Sequence, residues 1–293
     1  MSTELLVAGS VALDTRDGPF GKVRETLGGS AVYFALAASL IVPVKVVAPV
    51  GKDGAKRVAQ VFSGRAIDVD LLQILDAPTY RWRAHQEHGR NIDLGSSDDI
   101  YNIWEPALPT FEGWAFVGSM RPDRQAQLMG MLGAAKLLAA DSMLSYVQAR
   151  PPEARDVLRR SGWFFCNEEE FKALGGTDPE EFRRQWWLQG LVVKAGASGL
   201  AAYTEYGVVR VPALTDRPIV DTTGAGDAFA GGMLARWLST GGLPAGLQDA
   251  LVWGVACASI TISSIGVKGI AKATHKELDE RVAEVEKSLR RES

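Results

Sequence analysis

The chain has 293 residues, 46% of them apolar and 23% charged, the balance of an ordinary folded domain. Its net charge of -3 and lack of a basic block leave no nucleic-acid footprint, and three His with two distant Cys (Cys166 and Cys257) are too few for a zinc cluster or a disulfide framework. Two free thiols, no basic leader and apolar runs interrupted short of a membrane span give the expectation of a cytoplasmic chain with no membrane or nucleic-acid partner.

LLVAGSVALD, from Leu5 to Asp14, reads as one buried first strand, nearly continuous in apolar residues and ending in an acid. The polar, Gly-rich TRDGPFGKVRETLGG that follows is an excursion from the core. Ser30 to Ile41 is a helix with Ser30 as its cap and Pro43 as its stop; VKVVAPVG is the next strand and KDGAKRVAQVFSGRAI the next helix. Residues 77–105 break the pattern: they are polar, alternate imperfectly and carry Tyr80, Trp82, Tyr101 and Trp104. Two or three half-exposed strands are expected there, forming with the 15–27 excursion and its Phe20 a small sheet over the main body.

WAFVGSM resumes the buried strands, RQAQLMGMLGAAKLLAA has helical period, SMLSYV reads as a strand, and a helix begins at Pro151 and Pro152. GWFFCN is a strand ending at Asn167, EEEFKALGG a helix with acids in its first turn, DPEEFRRQWWLQG another helix, and GLVVKAGASGLAAYT a strand–turn–strand. VVRVPAL is extended; DTTGAGDAFAGGMLARWLST runs from a turn into a long helix, DALVWGVACASITISSIG is a second, and the C-terminal stretch is amphipathic. This succession predicts an α/β chain with a mostly parallel sheet covered on both faces.

The chemistry concentrates in DTTGAGDAF. Gly224 and Gly226 bracket Ala225 just before a helix, so the turn can aim several backbone N–H groups at one anion, reinforced by the positive end of the helix. Asp227 lies in the same first turn, where a carboxylate can take the proton of an attacking alcohol. A donor cradle beside a base is what phosphoryl transfer requires. Asp14 ends the first strand, ligands of open α/β sheets bind beyond such carboxyl ends, and its carboxylate suits hydroxyl donors.

Taken together and in this order, LLVAGSVALD, LGGSAVYFALAA, VVAPVGKDG, FCNEEE, VVKAGASG and DTTGAGDAFAGG resemble the ribokinase-like, or pfkB, family of carbohydrate and nucleoside kinases over nearly the whole chain. The resemblance implies a ribokinase-like three-layer α/β/α domain spanning 1–293 with a small β-sheet lid formed by about 15–27 and 77–107. It implies an ATP-dependent phosphotransferase with an alcohol acceptor, using ATP and Mg²⁺. In many members a monovalent cation such as K⁺ is stimulatory, and dimers form through the lid, so a homodimer is expected.

Residue by residue, Asp227 would be the base, and Gly224, Ala225 and Gly226 the anion hole. Asn167 and Glu170 would act on Mg²⁺ and phosphates, largely through water; Lys194, Gly196 and Gly199 would lie beside the nucleotide, and Ala256 and Ser259 would form the adenine wall. Asp221 and Thr223 fall where the family places the monovalent cation. On the acceptor side stand Asp14, Gly28, Gly29 and Tyr33, with Arg81 and Arg121 as further contacts. Tyr33 departs from the Asn common among sugar kinases, which puts ordinary ribose or fructose recognition in question. The expected activity is transfer of the γ-phosphoryl group to a small sugar-like substrate. A nucleoside kinase acting on the ribose 5'-hydroxyl is the alternative, and a non-catalytic binding protein on the same fold is the second. A dinucleotide oxidoreductase is disfavoured, because GSVALD lacks the Gly-x-Gly-x-x-Gly turn.

Overall fold

The computed structural model describes residues 4–87, 90–215 and 217–292; residues 88 and 89 of the expected lid segment, His88 and Gly89, lie outside them. In chain order the elements begin with β1 (Leu5–Ala8), β2 (Ala12–Gly18), β3 (Gly21–Gly28), α1 (Ser30–Ala38), β4 (Val44–Gly51), α2 (Lys52–Phe62) and β5 (Ile67–Leu75). There follow β6 (Arg81–Glu87), β7 (Arg90–Ser97), α3 (Ile100–Ile103), β8 (Trp114–Val117), α4 (Pro122–Met131), β9 (Leu137–Asp141), α5 (Leu144–Ala149) and α6 (Pro151–Arg160). The rest comprises β10 (Trp163–Asn167), α7 (Glu168–Ala173), α8 (Pro179–Gln185), β11 (Gly190–Lys194), β12 (Leu200–Thr204), β13 (Gly207–Val211), α9 (Ala225–Ser239), α10 (Leu247–Ile262), α11 (Lys268–Lys272) and α12 (His275–Glu292).

A nine-stranded sheet runs β13-β12-β11-β10-β9-β8-β1-β4-β5, parallel from β11 to β5 and antiparallel at β12 and β13. Because side chains alternate along a strand, Leu5 and Val7 of β1 enter one core with α1, α9 and α10, whereas Leu6 and Ala8 enter a second with α4, α6 and α8. Each such side chain contributes roughly 1.5–3 kcal/mol by leaving water. This is the three-layer α/β/α ribokinase-like arrangement. A separate four-stranded sheet, in order β3-β2-β6-β7, stands apart from it.

The small residues after the DTTGAGD turn have a packing reason. A β-carbon at Gly231 would press into the Phe34 backbone of α1, and one at Gly232 would meet Cys257 Sγ of α10 at 2.6 Å. Close approach of α1, α9 and α10 fixes where α9 begins, and hence where Asp227 sits.

Several local expectations are corrected. Leu5 to Asp14 is not one strand: the chain leaves the main sheet after Ala8, and Asp14 lies on β2 of the small sheet. Ser30 accounts for the break, its Oγ accepting from the Ser10 N–H at 2.9 Å and donating to the Ser119 carbonyl at 2.9 Å, which ties the start of α1 to the loops after β1 and β8. RQAQLMGMLGAAKLLAA is not one helix. It stops at Met131, and LLAAD forms β9, buried between β8 and β10, so a continuous apolar run hid a strand inside a helical period. SMLSYV is the start of α5 rather than a strand. Residues 67–75 form β5 at the sheet edge, which the sequence reading left unassigned. Finally, Pro244–Ile262 is long and apolar enough to cross a membrane, contrary to the expectation of short apolar runs; most of it is buried, with α10 packed between α9 and α12.

Candidate active site

The carboxyl ends of adjacent parallel strands deliver the site. Asp141 ends β9, Asn167 ends β10 and Lys194 ends β11, with Asn167 and Lys194 in register. Gln125 ties the end of β9 to that of β8 by donating to the carbonyls of Asp141 (2.8 Å) and Val117 (2.9 Å). Opposite them, α9 begins at Ala225 after Gly224, whose φ of 76° is left-handed and whose missing β-carbon makes room for the Tyr33 ring. Asp227 lies in that first turn, and Lys194 Nζ stands 2.8 Å from where a β-carbon on Gly226 would be. The glycine turn, the lysine and the acid therefore meet at one place.

Electrostatically this is an acid-rich, water-poor centre. Burial pushes the Asp227 carboxyl up to about 6, against the opposing charge of Lys194 and with Glu170 adding to the rise. Asp141 is also driven well above the usual carboxylate range, by burial first and then by Asp227. Asp14 is raised to about 7 by burial, with Arg16 opposing and the charges of Asp221 and Asp227 adding. Tyr33 Oη and Arg16 Nε are buried with no hydrogen-bond partner among the described residues, and the Asp227 and Asp141 carboxyls, each with a buried Oδ1, lie close enough to interact with each other. Buried polar atoms are ordinarily paired, so such a concentration marks a place built for a ligand.

The other candidates fall at varied distances from this centre. Asn167 Oδ1 accepts from Glu169 N–H (2.9 Å) and Glu170 N–H (2.8 Å), while the Glu170 carboxylate accepts from Asn167 N–H (3.0 Å), a reciprocal cap at the start of α7. Glu170 is buried, and burial raises its carboxyl. Gly196 has φ 58° with open space around it, while Gly199 has φ 84° and presses on the carbonyl of Val211. Ala256 and Ser259 are buried within α10: Ala256 belongs to the core, and Ser259 Oγ accepts from Arg281 at 3.1 Å. Gly28 leaves room for the Asp14 carboxylate, and Gly29, at φ 100°, lies against the Ser10 carbonyl.

Neither arginine named for the acceptor side is free. Arg81 is held by Glu25 (3.2 Å) and Asp53 (2.7 Å), and Asp53, also bonded by Thr79, is lowered to about 2. Arg121 donates to Asp123 (2.8 Å) and Asn102 (2.7 Å) and lies 5.7 Å from the Tyr101 ring. Tyr80, Tyr101 and Trp104 are buried, with the Tyr101 ring in tilted contact with each of the other two, so these aromatics pack a core.

Two residues escaped the sequence reading. Asp141 could have been found as an acid ending an apolar run, the same signal that singled out Asp14. Arg16, two positions after Asp14 on β2, is almost wholly buried and paired with Asp221. Asp221 also accepts the N–H groups of Thr223 (3.1 Å) and Gly266 (2.8 Å). Asn91 Nδ2 of β7 donates to Thr223 Oγ1 at 3.2 Å, so the small sheet touches the Asp221–Gly226 turn at two points.

A glycine turn opening a helix, an acid in that turn and a lysine beside it, on a three-layer α/β/α frame, define an ATP-dependent phosphotransferase acting on a small sugar- or nucleoside-like substrate. Residues 11–273 match the description "pfkB family carbohydrate kinase", and the chain belongs to that family. It is 28% identical over 248 residues to a cytidine kinase from Thermococcus kodakarensis, covering 80% of this chain and 88% of that one. It is 26% identical over 261 residues to an ATP-dependent ribose-1-phosphate kinase from Halopiger xanaduensis, covering 85% of each. Among solved structures, a Burkholderia thailandensis nucleoside kinase in complex with inosine superposes with a TM-score of 0.78 at 18% identity, covering 96% of this chain and 97% of that one, a likeness of fold.

Proposed function

We propose that the chain transfers the γ-phosphoryl group of ATP to the primary hydroxyl of a ribosyl compound, with a cytidine-type nucleoside as first acceptor. The observation that carries this is the pair of buried carboxylates, Asp14 and Asp227, close enough that the charge of one raises the other. One suits the hydroxyl donors of a ribose, and the other suits removal of a proton. The cytidine kinase and ribose-1-phosphate kinase relatives share a ribosyl acceptor in their names, which favours this over the hexose side of the sugar reading.

In this mechanism Asp14 holds the ribose hydroxyls. Asp227 takes the proton of the primary hydroxyl as its oxygen bonds to the γ-phosphorus, and the bond from that phosphorus to the bridging oxygen breaks, releasing ADP. The N–H groups of the Gly224, Ala225, Gly226 and Asp227 turn, with Lys194 beside it, face the charge developing on the transferred group. Gly196 and Gly199 let the backbone pass beside the nucleotide. No group of three or more His, Cys, Asp or Glu forms a metal cage among the described residues, which fits an ion held mainly by phosphates and water. Glu170 and Asn167 would hold Mg²⁺ in that way, and the ion would neutralise phosphate charge. The small sheet acts as a lid whose closure excludes water.

The homodimer belongs to the same proposal. Ile92 and Leu94 of edge strand β7 are exposed at 46% and 55% and would form the seam at which two lids meet; light scattering of the purified chain reads its mass. For the activity, ADP release is followed with ATP and Mg²⁺ and cytidine, adenosine, inosine, ribose, ribose 1-phosphate or fructose. Saturable turnover with ribosyl acceptors is expected, and turnover with fructose alone would overturn the acceptor assignment.

A further inference from the structure

The family resemblance places a monovalent cation at Asp221 and Thr223, and the residues present do not fit one. The Asp221 carboxylate is fully buried, and three donors already converge on it. Its Oδ1 accepts the Thr223 N–H at 3.1 Å, and its Oδ2 accepts both the Gly266 N–H at 2.8 Å and the Arg16 guanidinium. Arg16 in turn donates to Thr26 Oγ1 at 2.8 Å and is almost wholly buried. A carboxylate offers about four acceptor positions, and three are used here. A guanidinium does not lose its proton, so the pair is permanently neutral. A potassium ion added beside it would bring a second positive charge next to the guanidinium in a buried place.

We propose that Arg16 is a tethered replacement for the monovalent cation: a guanidinium carried on lid strand β2 supplies the positive charge that steadies the Asp221–Gly226 turn, and the chain works without potassium. The charge reaches the anion-hole turn from the lid, so the turn is set in its working shape only with the lid strand in place. This goes beyond the acceptor assignment and holds whichever hydroxyl is phosphorylated.

The test compares initial rates and melting temperatures in potassium chloride, sodium chloride and choline chloride at equal ionic strength. A chain that bound potassium would melt higher in the potassium salt by mass action. For the wild-type chain, rates equal within about twofold and melting temperatures equal within about 1 °C across the three salts are expected. Arg16→Ala opens space beside Asp221. Its turnover is expected to fall and to recover several-fold in potassium chloride alone, with a melting temperature raised by that salt alone. Arg16→Lys keeps a tethered charge and is expected to stay insensitive to potassium. A wild-type chain that melts several degrees higher in potassium chloride, or gains about tenfold or more in rate there, would overturn the proposal. So would an Arg16→Lys variant as potassium-dependent as Arg16→Ala. If neither variant folds, the wild-type comparison alone decides. The melting arm reads cation binding without turnover, so failure to find an acceptor leaves it intact.

Discussion

The ring of Tyr33 occupies the space that a β-carbon on Gly224 would need, and Gly224 is also left-handed, at φ 76°. One residue is thus constrained twice, by its own backbone and by a neighbour on α1. Gly224→Ala is expected to lose roughly 1–2 kcal/mol from the backbone alone, plus the cost of displacing the ring. For a chain of this size that lowers the melting temperature by several degrees, at roughly 2–4 °C per kcal/mol. Because Tyr33 and α9 are displaced together, turnover is expected to fall as well. Tyr33→Leu in the Gly224→Ala background relieves the overlap but not the φ strain, so calorimetry should show only partial recovery. Full recovery would place the whole effect in the ring contact.

The acid limb of the activity profile follows from two raised carboxyls. Asp227 must be ionised to take a proton, and Asp14 must be ionised to accept hydroxyls. Their carboxyls lie at about 6 and about 7. Initial rates at subsaturating acceptor are therefore expected to fall as pH drops through that interval, not near pH 4 where exposed carboxylates titrate. A rate flat down to pH 5 would contradict the buried, water-poor description of both acids.

Stability has the opposite dependence at Asp14. Its folded value, about 7, exceeds the ordinary aspartate value of 3.8, so the protonated form is the one the fold favours. That contribution is fully present below about pH 4 and is lost as pH rises through the folded value. Asp14→Asn mimics the protonated group. It should raise the melting temperature at about pH 8, by the equivalent of roughly 1–3 kcal/mol, and leave it nearly unchanged at about pH 4, while abolishing acceptor saturation. A variant less stable at both pH values would show that the carboxylate is needed structurally.

Arg81 and Arg121 were read from the sequence as acceptor contacts, but their guanidiniums are committed to Glu25 and Asp53 and to Asp123 and Asn102. Arg81→Met is expected to change the acceptor KM by less than about threefold and stability by no more than about 1 kcal/mol, the scale of a half-exposed ion pair. Arg121→Met removes a buried guanidinium from its partly exposed partner Asp123 and should cost somewhat more stability, again with little change in KM. A tenfold rise in KM for either variant would restore it to the acceptor site.

The parts of the site that could be read in the sequence are those carried by contiguous residues. DTTGAGDAF places backbone donors and an acid within one turn, so local rules suggest its chemistry, whereas FCNEEE and KAGASG gained their roles only from the resemblance to the family. Asp141 was hidden because LLAAD continues an apolar run that shares the period of the helix before it. Its strand character comes from the β8 and β10 neighbours, which local sequence does not reveal. Arg16 was hidden for a related reason. A charged residue on a polar strand reads as exposed, and the partner that buries it, Asp221, lies 205 positions away. The division of Leu5 to Asp14 between two sheets likewise depends on Ser30, which stitches the two loops beneath it.

The most direct measurement is turnover of Asp227→Asn with ATP, Mg²⁺ and the best ribosyl acceptor. The amide keeps the shape and the helix start but cannot take the proton. A fall in kcat of at least about 10²-fold is expected, with the acceptor KM within a few-fold of wild type and the melting temperature not lowered. A variant that turns over at a near-normal rate would contradict the assignment of Asp227 as the base, and with it the central account of this site.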